Sequence, residues 1–325
     1  MSSTVFPDDV RLERRPCPNG CTPSDEFVLE GRDRINGVPG TFPIVKCRHC
    51  GLMRTDPRPT PETIGAYYPA DYAPYQVSAA KPAKVRKWRH RVKDRIARFF
   101  GKDVRRLPDI APGRMLEIGC ASGDYLVQMR ERGWQVEGVE FSDTPASVAR
   151  QRGLTVQTGS VESAHPPQQP ADVLAAWMVL EHLHDPIPAL RKLRQWVKPD
   201  GYMVGAVPDA DAFDRKMFGA CWYALHLPAH LYHYTPTTFR QVLAAGGWDV
   251  VALRWQANPK NLLNTLEWWA QDRQRPRTLA FVRWMKSSRR ARRLRNWLGW
   301  TLGVTRQSGR MEFWARPSAT FGQPK

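Results

Sequence analysis

The most constraining feature of this chain is Met115–Leu126, MLEIGCASGDYL. A short apolar strand runs into an acidic residue and a loop of small residues, and a helix opens at Asp124. Gly119 and Gly123 remove side chains where the chain turns tightly, and the N–H groups at the start of the helix offer a polar cradle for a nucleotide-like ligand. The next strand, Gln135–Glu140 (QVEGVE), ends in Glu140, where a carboxylate accepts hydrogen bonds from both hydroxyls of a ribose. Together the two segments predict an α/β fold with a ligand at the carboxyl edge of a parallel sheet.

The loop lacks the spacing of a dinucleotide fingerprint. It resembles instead the first motif of the class I S-adenosylmethionine (SAM)-dependent methyltransferases, an acidic residue, one apolar residue and G-x-G-x-G, matched by Glu117, Gly119, Ala121 and Gly123, with Ala121 replacing the middle glycine. The resemblance runs from Arg114 to Leu253. Thr158–Glu162 (TGSVE) follows the third strand, Ala171–Trp177 is the fourth, MVLEHLHDP leads into a helix stopped near Lys198 by Pro199, Asp200 and Gly201, and Tyr202–Pro208 is the fifth. It implies a Rossmann-like sheet of seven strands, the last antiparallel. It further implies a SAM site at Glu117, Gly119, Cys120, Ala121, Gly123, Glu140, Phe141, Ser142, Ser160, Val161 and Trp177, with Ser160 and Val161 bracketing the adenine.

Cys17 and Cys21 stand in C-P-N-G-C, and Cys47 and Cys50 in C-R-H-C-G. Two such knuckles can present four thiolates to a structural zinc ion, free thiols or a redox pair being the alternatives; four cysteines leave no open coordination position, which assigns such a metal to folding rather than chemistry. His49 is expected to point away. The following GLMRTDPRPTPETIGAYYPADYAPY is similar to the segment after the zinc ribbon of bacterial small-molecule, sugar and quinone methyltransferases.

The chain carries a formal net charge of +18, unevenly spread. From Lys81 to Arg106 basic residues surround Trp88, Val92, Ile96, Phe99 and Phe100 at helical spacing, which predicts an amphipathic linker helix. Trp248–Trp255 and Arg310–Arg316 read as the sixth and seventh strands, and the stretch between them far exceeds an ordinary connection. This insertion holds Trp268, Trp269, Trp284, Trp297 and Trp300 beside many arginines and reads as two helices joined near Pro276. A lid over the pocket, contact with an anionic membrane surface and binding of nucleic acid all suit that composition. The expected organisation is a zinc-ribbon module and Pro/Tyr-rich link over 1–80, a basic linker helix over 81–110, a SAM-binding core over 111–258 with 306–318, and the helical insertion over 259–305.

Methyl transfer from a sulfonium is an in-line displacement, so the chain's part is alignment and, for a hydroxyl or carbon acid, proton removal. His182, just beyond the fourth strand in Leu180-Glu181-His182-Leu183, is the first candidate base, a capping role being the alternative. Phe218–Thr235 (FGACWYALHLPAHLYHYT) is an aromatic and histidine-rich loop expected to face the acceptor, with His230 and Tyr234 as further candidates. Related methyltransferases carry a similar phrase, matching Trp222, Pro228, His230, Leu231, Tyr234, Thr235 and Pro236. Some quinone O-methyltransferases place a carboxylate three positions before the Glu-His pair to hold a divalent metal, and here that position is Met178. The leading expectation is a SAM-dependent O- or C-methyltransferase for a small-molecule, glycan or lipid-linked acceptor; the alternatives are an RNA methyltransferase with a zinc module and a non-catalytic SAM-fold binding protein. The N-terminus shows no apolar signal region and no apolar run approaches the length of a membrane span, so a cytoplasmic site, with peripheral contact at the inner membrane surface left open, is expected.

Overall fold

The computed structural model describes residues 6–68 and 105–321. Of the linker helix expected over 81–110, residues 81–104 lie outside the described residues, and 105–110 are not helical but form an irregular lead into the strand that begins at Arg114. Five parallel strands form the middle of the molecule: β6 (Arg114–Ile118), β7 (Gln135–Glu140), β8 (Thr155–Thr158), β9 (Ala171–Trp177) and β10 (Val197–Pro208). β12 (Trp248–Trp255) and β13 (Arg310–Pro317) complete a seven-stranded sheet in the order β12-β13-β10-β9-β6-β7-β8, with β13 antiparallel to both its neighbours. This is the Rossmann-like methyltransferase sheet implied by the resemblance. Strand order reverses between β6 and β9, and a crevice opens at such a switch point beyond the carboxyl ends of the strands.

Burial explains the run of apolar residues in β9, which is covered on both faces. On one side lie α1 (Asp124–Arg130) and α2 (Asp143–Gln151), and on the other α3 (Pro186–Arg194) and α5 (Pro236–Ala245) pack against one another. α3 ends at Arg194, earlier than the expected stop near Lys198. The cause is tertiary: Val197 pairs with Ala171 in the sheet and Ala171 N donates to Trp196 O, so these residues are drawn into β10 before the Pro-Asp-Gly sequence is reached. α5 starts where its sequence says, with Thr235 capping the backbone N–H of Thr238, the reciprocal Thr238 bond completing a capping box, and Pro236 in the first turn.

The N-terminal residues build a second sheet from β2 (Asp25–Arg32), β3 (Thr41–Cys47) and β4 (Met53–Thr55). Its fourth strand, β11 (Tyr232–His233), comes from the aromatic loop of the core, with Tyr232 opposite Arg54 and His233 opposite Met53. Beside it, β1 (Leu12–Glu13) pairs with β5 (Arg58–Pro59). The buried Arg58 donates to Glu13 Oε1 (2.9 Å), Tyr232 Oη (3.1 Å) and His184 O (3.0 Å), and Thr55 Oγ1 donates to His230 O (2.8 Å). The N-terminal sheet therefore grips the loop rather than hanging from a tether.

The insertion between β12 and β13 forms three helices where two were expected: α6 (Lys260–Asp272), α7 (Pro276–Ser287) and α8 (Arg292–Val304). The extra break is held by Arg295, whose guanidinium donates to the carbonyls of Met285 and Lys286 (3.2 Å) at the end of α7. A cation on the last carbonyls stabilises a helix C-terminus.

Candidate active site and thiolate cluster

β6 and β7 end in two buried carboxylates. Glu140, 4% exposed, accepts from Ala121 N (2.8 Å) on one oxygen and from Ser142 N (3.0 Å) on the other. Burial raises its pKa, opposed by those N–H groups and that of Phe141. Each oxygen of a carboxylate has two lone pairs, so acceptor capacity remains for a pair of ligand hydroxyls. Glu117 is pushed up to about 8 by burial, against the pull of Arg105, whose Nη1 lies 3.9 Å away. Its Oε2 is buried with no hydrogen-bond partner among the described residues.

The small-residue loop holds its shape for separable reasons. Gly119 (φ 69°) could not carry a Cβ, which would meet Val179 Cγ2 at 2.7 Å. Ala121 adopts a left-handed backbone (φ 47°) that ordinarily favours glycine, and the bond from its N–H to Glu140 holds it there. Gly123 faces away from the crevice, for a Cβ there would meet Leu154 Cδ1 at 2.3 Å and Ala149 Cβ at 3.2 Å. Its role is close packing of α2 against the loop.

A cavity of about 1000 Å³ extends from this loop to the insertion. Of the residues expected from sequence, Glu117, Gly119, Cys120, Ala121, Glu140, Phe141, Ser160, Val161, Trp177, His182 and His230 line it, whereas Gly123, Ser142 and Tyr234 do not. Ser142 contributes its backbone N–H to Glu140 from just outside. Tyr234 is corrected from an acceptor-facing residue to a core one: it is fully buried, stacks on Tyr232 and donates to Leu180 O (3.1 Å). Trp222 and Leu231 are likewise core, so the quoted phrase is largely a folding signature, with His230 its cavity-facing member.

The far end of the cavity holds neutral imidazoles. His182 and His230 have ring centroids 4.7 Å apart, and His226 lies 4.8 Å from His230. Burial, then the neighbouring His226, lowers His182 to about 3, against the bond to Ala229; burial takes His226 to about 4 and His230 well below its usual value. His182 Nδ1 lies 2.9 Å from Ala229 O and 2.8 Å from Tyr68 Oη. A carbonyl accepts only, so Nδ1 carries the proton and Nε2 keeps its lone pair. Glu181 is fully buried, pushed up to about 8 by burial, and neither oxygen has a hydrogen-bond partner among the described residues; His230 Nε2 is 3.9 Å away.

Among the cavity residues to which sequence reasoning gave no site role are Tyr68, Arg105, Lys260 and Arg310, with Glu181 buried beside His182 and His230. All but Glu181 come from segments distant in sequence from the motifs, and only the topology brings them in. α6 lends the cavity Lys260 and packs on the core loop beside it, with Trp268 against Tyr223 (5.1 Å), Trp269 against Phe218 (5.8 Å), and Tyr223 N donating to Thr265 Oγ1 (2.9 Å).

The second candidate centre lies in the N-terminal sheet. The Sγ atoms of Cys17, Cys21, Cys47 and Cys50 all lie within 4.8 Å of one another, and those of Cys17 and Cys50 are 3.4 Å apart. Burial pushes the Cys17 thiol up; at Cys47 burial acts the same way, but backbone N–H groups of Cys50 and His49 outweigh it and bring the thiol down to about 7. Gly51 N donates to Cys47 O, closing the knuckle. His49 is exposed and outside the cluster. The donor set and spacing suit a tetrahedral thiophilic ion.

The profile of a methyltransferase domain family matches residues 85–253, just over half of the chain. The ubiquinone biosynthesis O-methyltransferase of Stutzerimonas stutzeri (strain A1501) is 33% identical over 116 residues, covering 32% of this chain and 50% of the relative. Its counterpart in Cereibacter sphaeroides (strain ATCC 17025) is 27% identical over 172 residues, covering 49% of this chain and 70% of the relative. The chain spans about half the length of the first of these relatives. A solved S-adenosylmethionine-dependent methyltransferase from Mesorhizobium loti is 18% identical, with a TM-score of 0.43 over 65% of this chain and 93% of that one.

Proposed function

The chain belongs to the methyltransferase domain family, and on that premise we propose that it binds SAM at the ends of β6 and β7 and methylates an oxygen of a small molecule. The observation that carries this reading is one cavity lined at one end by Glu117, the small-residue loop and Glu140, and at the other by His182. The residues fit the cofactor. Glu140 has acceptor capacity for two ribose hydroxyls, the unpartnered Glu117 Oε2 suits the ammonium of the methionine part, and Ser160 and Val161 line the same cavity, which supports an adenine held between them. When bound, SAM supplies an electrophilic methyl group. The chain's own contribution is to orient the acceptor, exclude water and take its proton at His182 Nε2, the tautomer fixed through Ala229. The names of the curated relatives support an acceptor hydroxyl on a small molecule.

Calorimetry with S-adenosylhomocysteine tests the cofactor half. The full chain should bind it, and Glu140→Ala should weaken binding by about 1–3 kcal/mol, since charge-assisted bonds to the ribose are lost; equal affinities would refute the ribose role. For an acceptor that the chain methylates, His182→Ala should keep cofactor affinity and lose ~10²–10⁴ in turnover. An unchanged turnover number would leave His182 a structural residue.

Two further parts complete the reading. The four thiolates hold a structural zinc ion that fixes the N-terminal sheet, and through it the loop carrying His230. The outer helices α7 and α8 rest reversibly on an anionic membrane surface: Phe281, Trp284, Trp297, Trp300 and Val304 are exposed there beside Arg283, Arg289, Arg290, Arg292 and Arg293.

A further inference from the structure

The acceptor end of the cavity carries two cations that the fold does not neutralise. Arg310 is the first residue of β13 and Lys260 the first of α6, so the junctions at both ends of the insertion deliver one positive charge each to the same wall. Among the described residues neither makes an ion pair, and Arg310 Nε is buried without a hydrogen-bond partner. Partial burial and then Arg310 lower the Lys260 ammonium, which stays exposed at the helix start, so the cost of an unpaired cation falls on Arg310. The nearby carboxyl offers no relief: Glu181 is pushed up to about 8 and is largely neutral at pH 7. A buried guanidinium without a counter-charge is costly unless a ligand supplies one.

Arg105, the third cation on the cavity wall, is placed differently. It lies 3.9 Å from Glu117 and stacks over Tyr125 (4.9 Å) and Trp177 (5.7 Å), at the end assigned to the cofactor. Arg310 shares the cavity wall with Lys260, Tyr223, His226 and His230 and lies within electrostatic reach of Tyr223, Glu181 and, more weakly, Arg105. The positive end of the α6 dipole adds to the field there.

We propose that the methyl acceptor carries an oxyanion, a carboxylate or a phosphate, which Arg310 and Lys260 bind at the acceptor end of the cavity. The proposal rests on the methyltransferase reading for the word acceptor, but the anion site itself stands on the two cations. Arg310 offers a planar fork to two oxygens and Lys260 a point charge. Tyr223 lines the same end, where its hydroxyl suits a remaining oxygen of such a group.

The test titrates benzoate, phenyl phosphate and neutral benzamide into the full chain, alone and saturated with S-adenosylhomocysteine. At least one anion should bind about 10-fold or more tightly than benzamide, and the better of the two identifies carboxylate or phosphate. Lys260→Met, at an exposed helix end, and Arg310→Gln should each erase that preference while S-adenosylhomocysteine affinity stays unchanged; Arg310→Lys should retain part of it. If Arg310→Gln does not fold, Lys260→Met alone decides. The proposal fails if benzamide binds as well as both anions, if neither anion binds, or if the variants keep the preference. It also fails if they lose cofactor affinity instead, since the cations would then serve the cofactor's own carboxylate. Anion binding without any S-adenosylhomocysteine binding would leave the site standing and sink the methyltransferase reading.

Discussion

Glu181 shows how a single residue couples chemistry to stability. Its carboxyl is neutral in the fold at pH 7 because burial outweighs its own backbone N–H and the attraction of Arg310, whereas in the unfolded chain it is ionised above the ordinary glutamate pKa. The folded form therefore holds more protons than the unfolded one between that value and about 8, and stability falls as pH rises across this range. Glu117, also pushed to about 8, acts in the same sense. The buried histidines act oppositely, for His182 at about 3 and His226 at about 4 are neutral in the fold and lose stability only as pH drops below the ordinary histidine value. Between about pH 6.5 and 8 the glutamates alone of these groups change, each contributing a slope of about 1.4 kcal/mol per pH unit. Melting curves over that window should fall for the parent and flatten by one such share in Glu181→Gln. A parent whose melting temperature is constant across it would show that Glu181 is ionised in the fold.

At the scale of elements, what could be read in advance was what is local. The strand Met115–Ile118, the loop and Gln135–Glu140 announce themselves because alternation, glycine and a terminal carboxylate are consecutive in sequence, and in the fold the Glu140 carboxylate holds the loop. What was not legible was set by distant partners. Nothing near Pro199 says that Trp196 and Val197 will be taken by the sheet, nor that Tyr234 will turn into the core while Tyr68, over a hundred residues earlier, meets His182. The four cysteines are the opposite case, two local knuckles whose convergence the spacing already implied. If they hold zinc, metal analysis of protein purified without chelator should give one equivalent per chain. Cys47→Ser should lose it and lower the melting temperature while the purified folded fraction still binds S-adenosylhomocysteine, because the cofactor end of the cavity is built from β6 and β7 rather than from the N-terminal sheet. Metal-free parent protein of undiminished stability would refute the assignment.

For the whole molecule, the question is what a net charge of +18 and an aromatic outer surface do together. The insertion divides its tryptophans by role. Trp268 and Trp269 on α6 turn inward onto the loop of the core, whereas Trp284 on α7 and Trp297 and Trp300 on α8 are 43%, 60% and 42% exposed. On α8 the spacing of Arg293, Trp297, Trp300 and Val304 sets them along one face, opposite Gly299 and Leu302, which are buried. Gly299 is needed there, for a Cβ would meet Ala257 O at 2.7 Å. No helix among the described residues is long and apolar enough to cross a bilayer, and the contact proposed for this insertion is a peripheral one. Indole rings suit headgroup depth and arginines suit anionic lipid, a combination whose strength falls with ionic strength. Sedimentation with phosphatidylglycerol-containing vesicles should therefore retain the full chain at low salt, release it as salt rises, and retain far less of a Trp284→Ser, Trp297→Ser, Trp300→Ser variant that still binds S-adenosylhomocysteine. Equal pelleting with neutral phosphatidylcholine vesicles would remove the electrostatic half of the argument. Salt-sensitive RNA binding lost in the same variant, without vesicle binding in the parent, would assign the surface to unpaired bases instead.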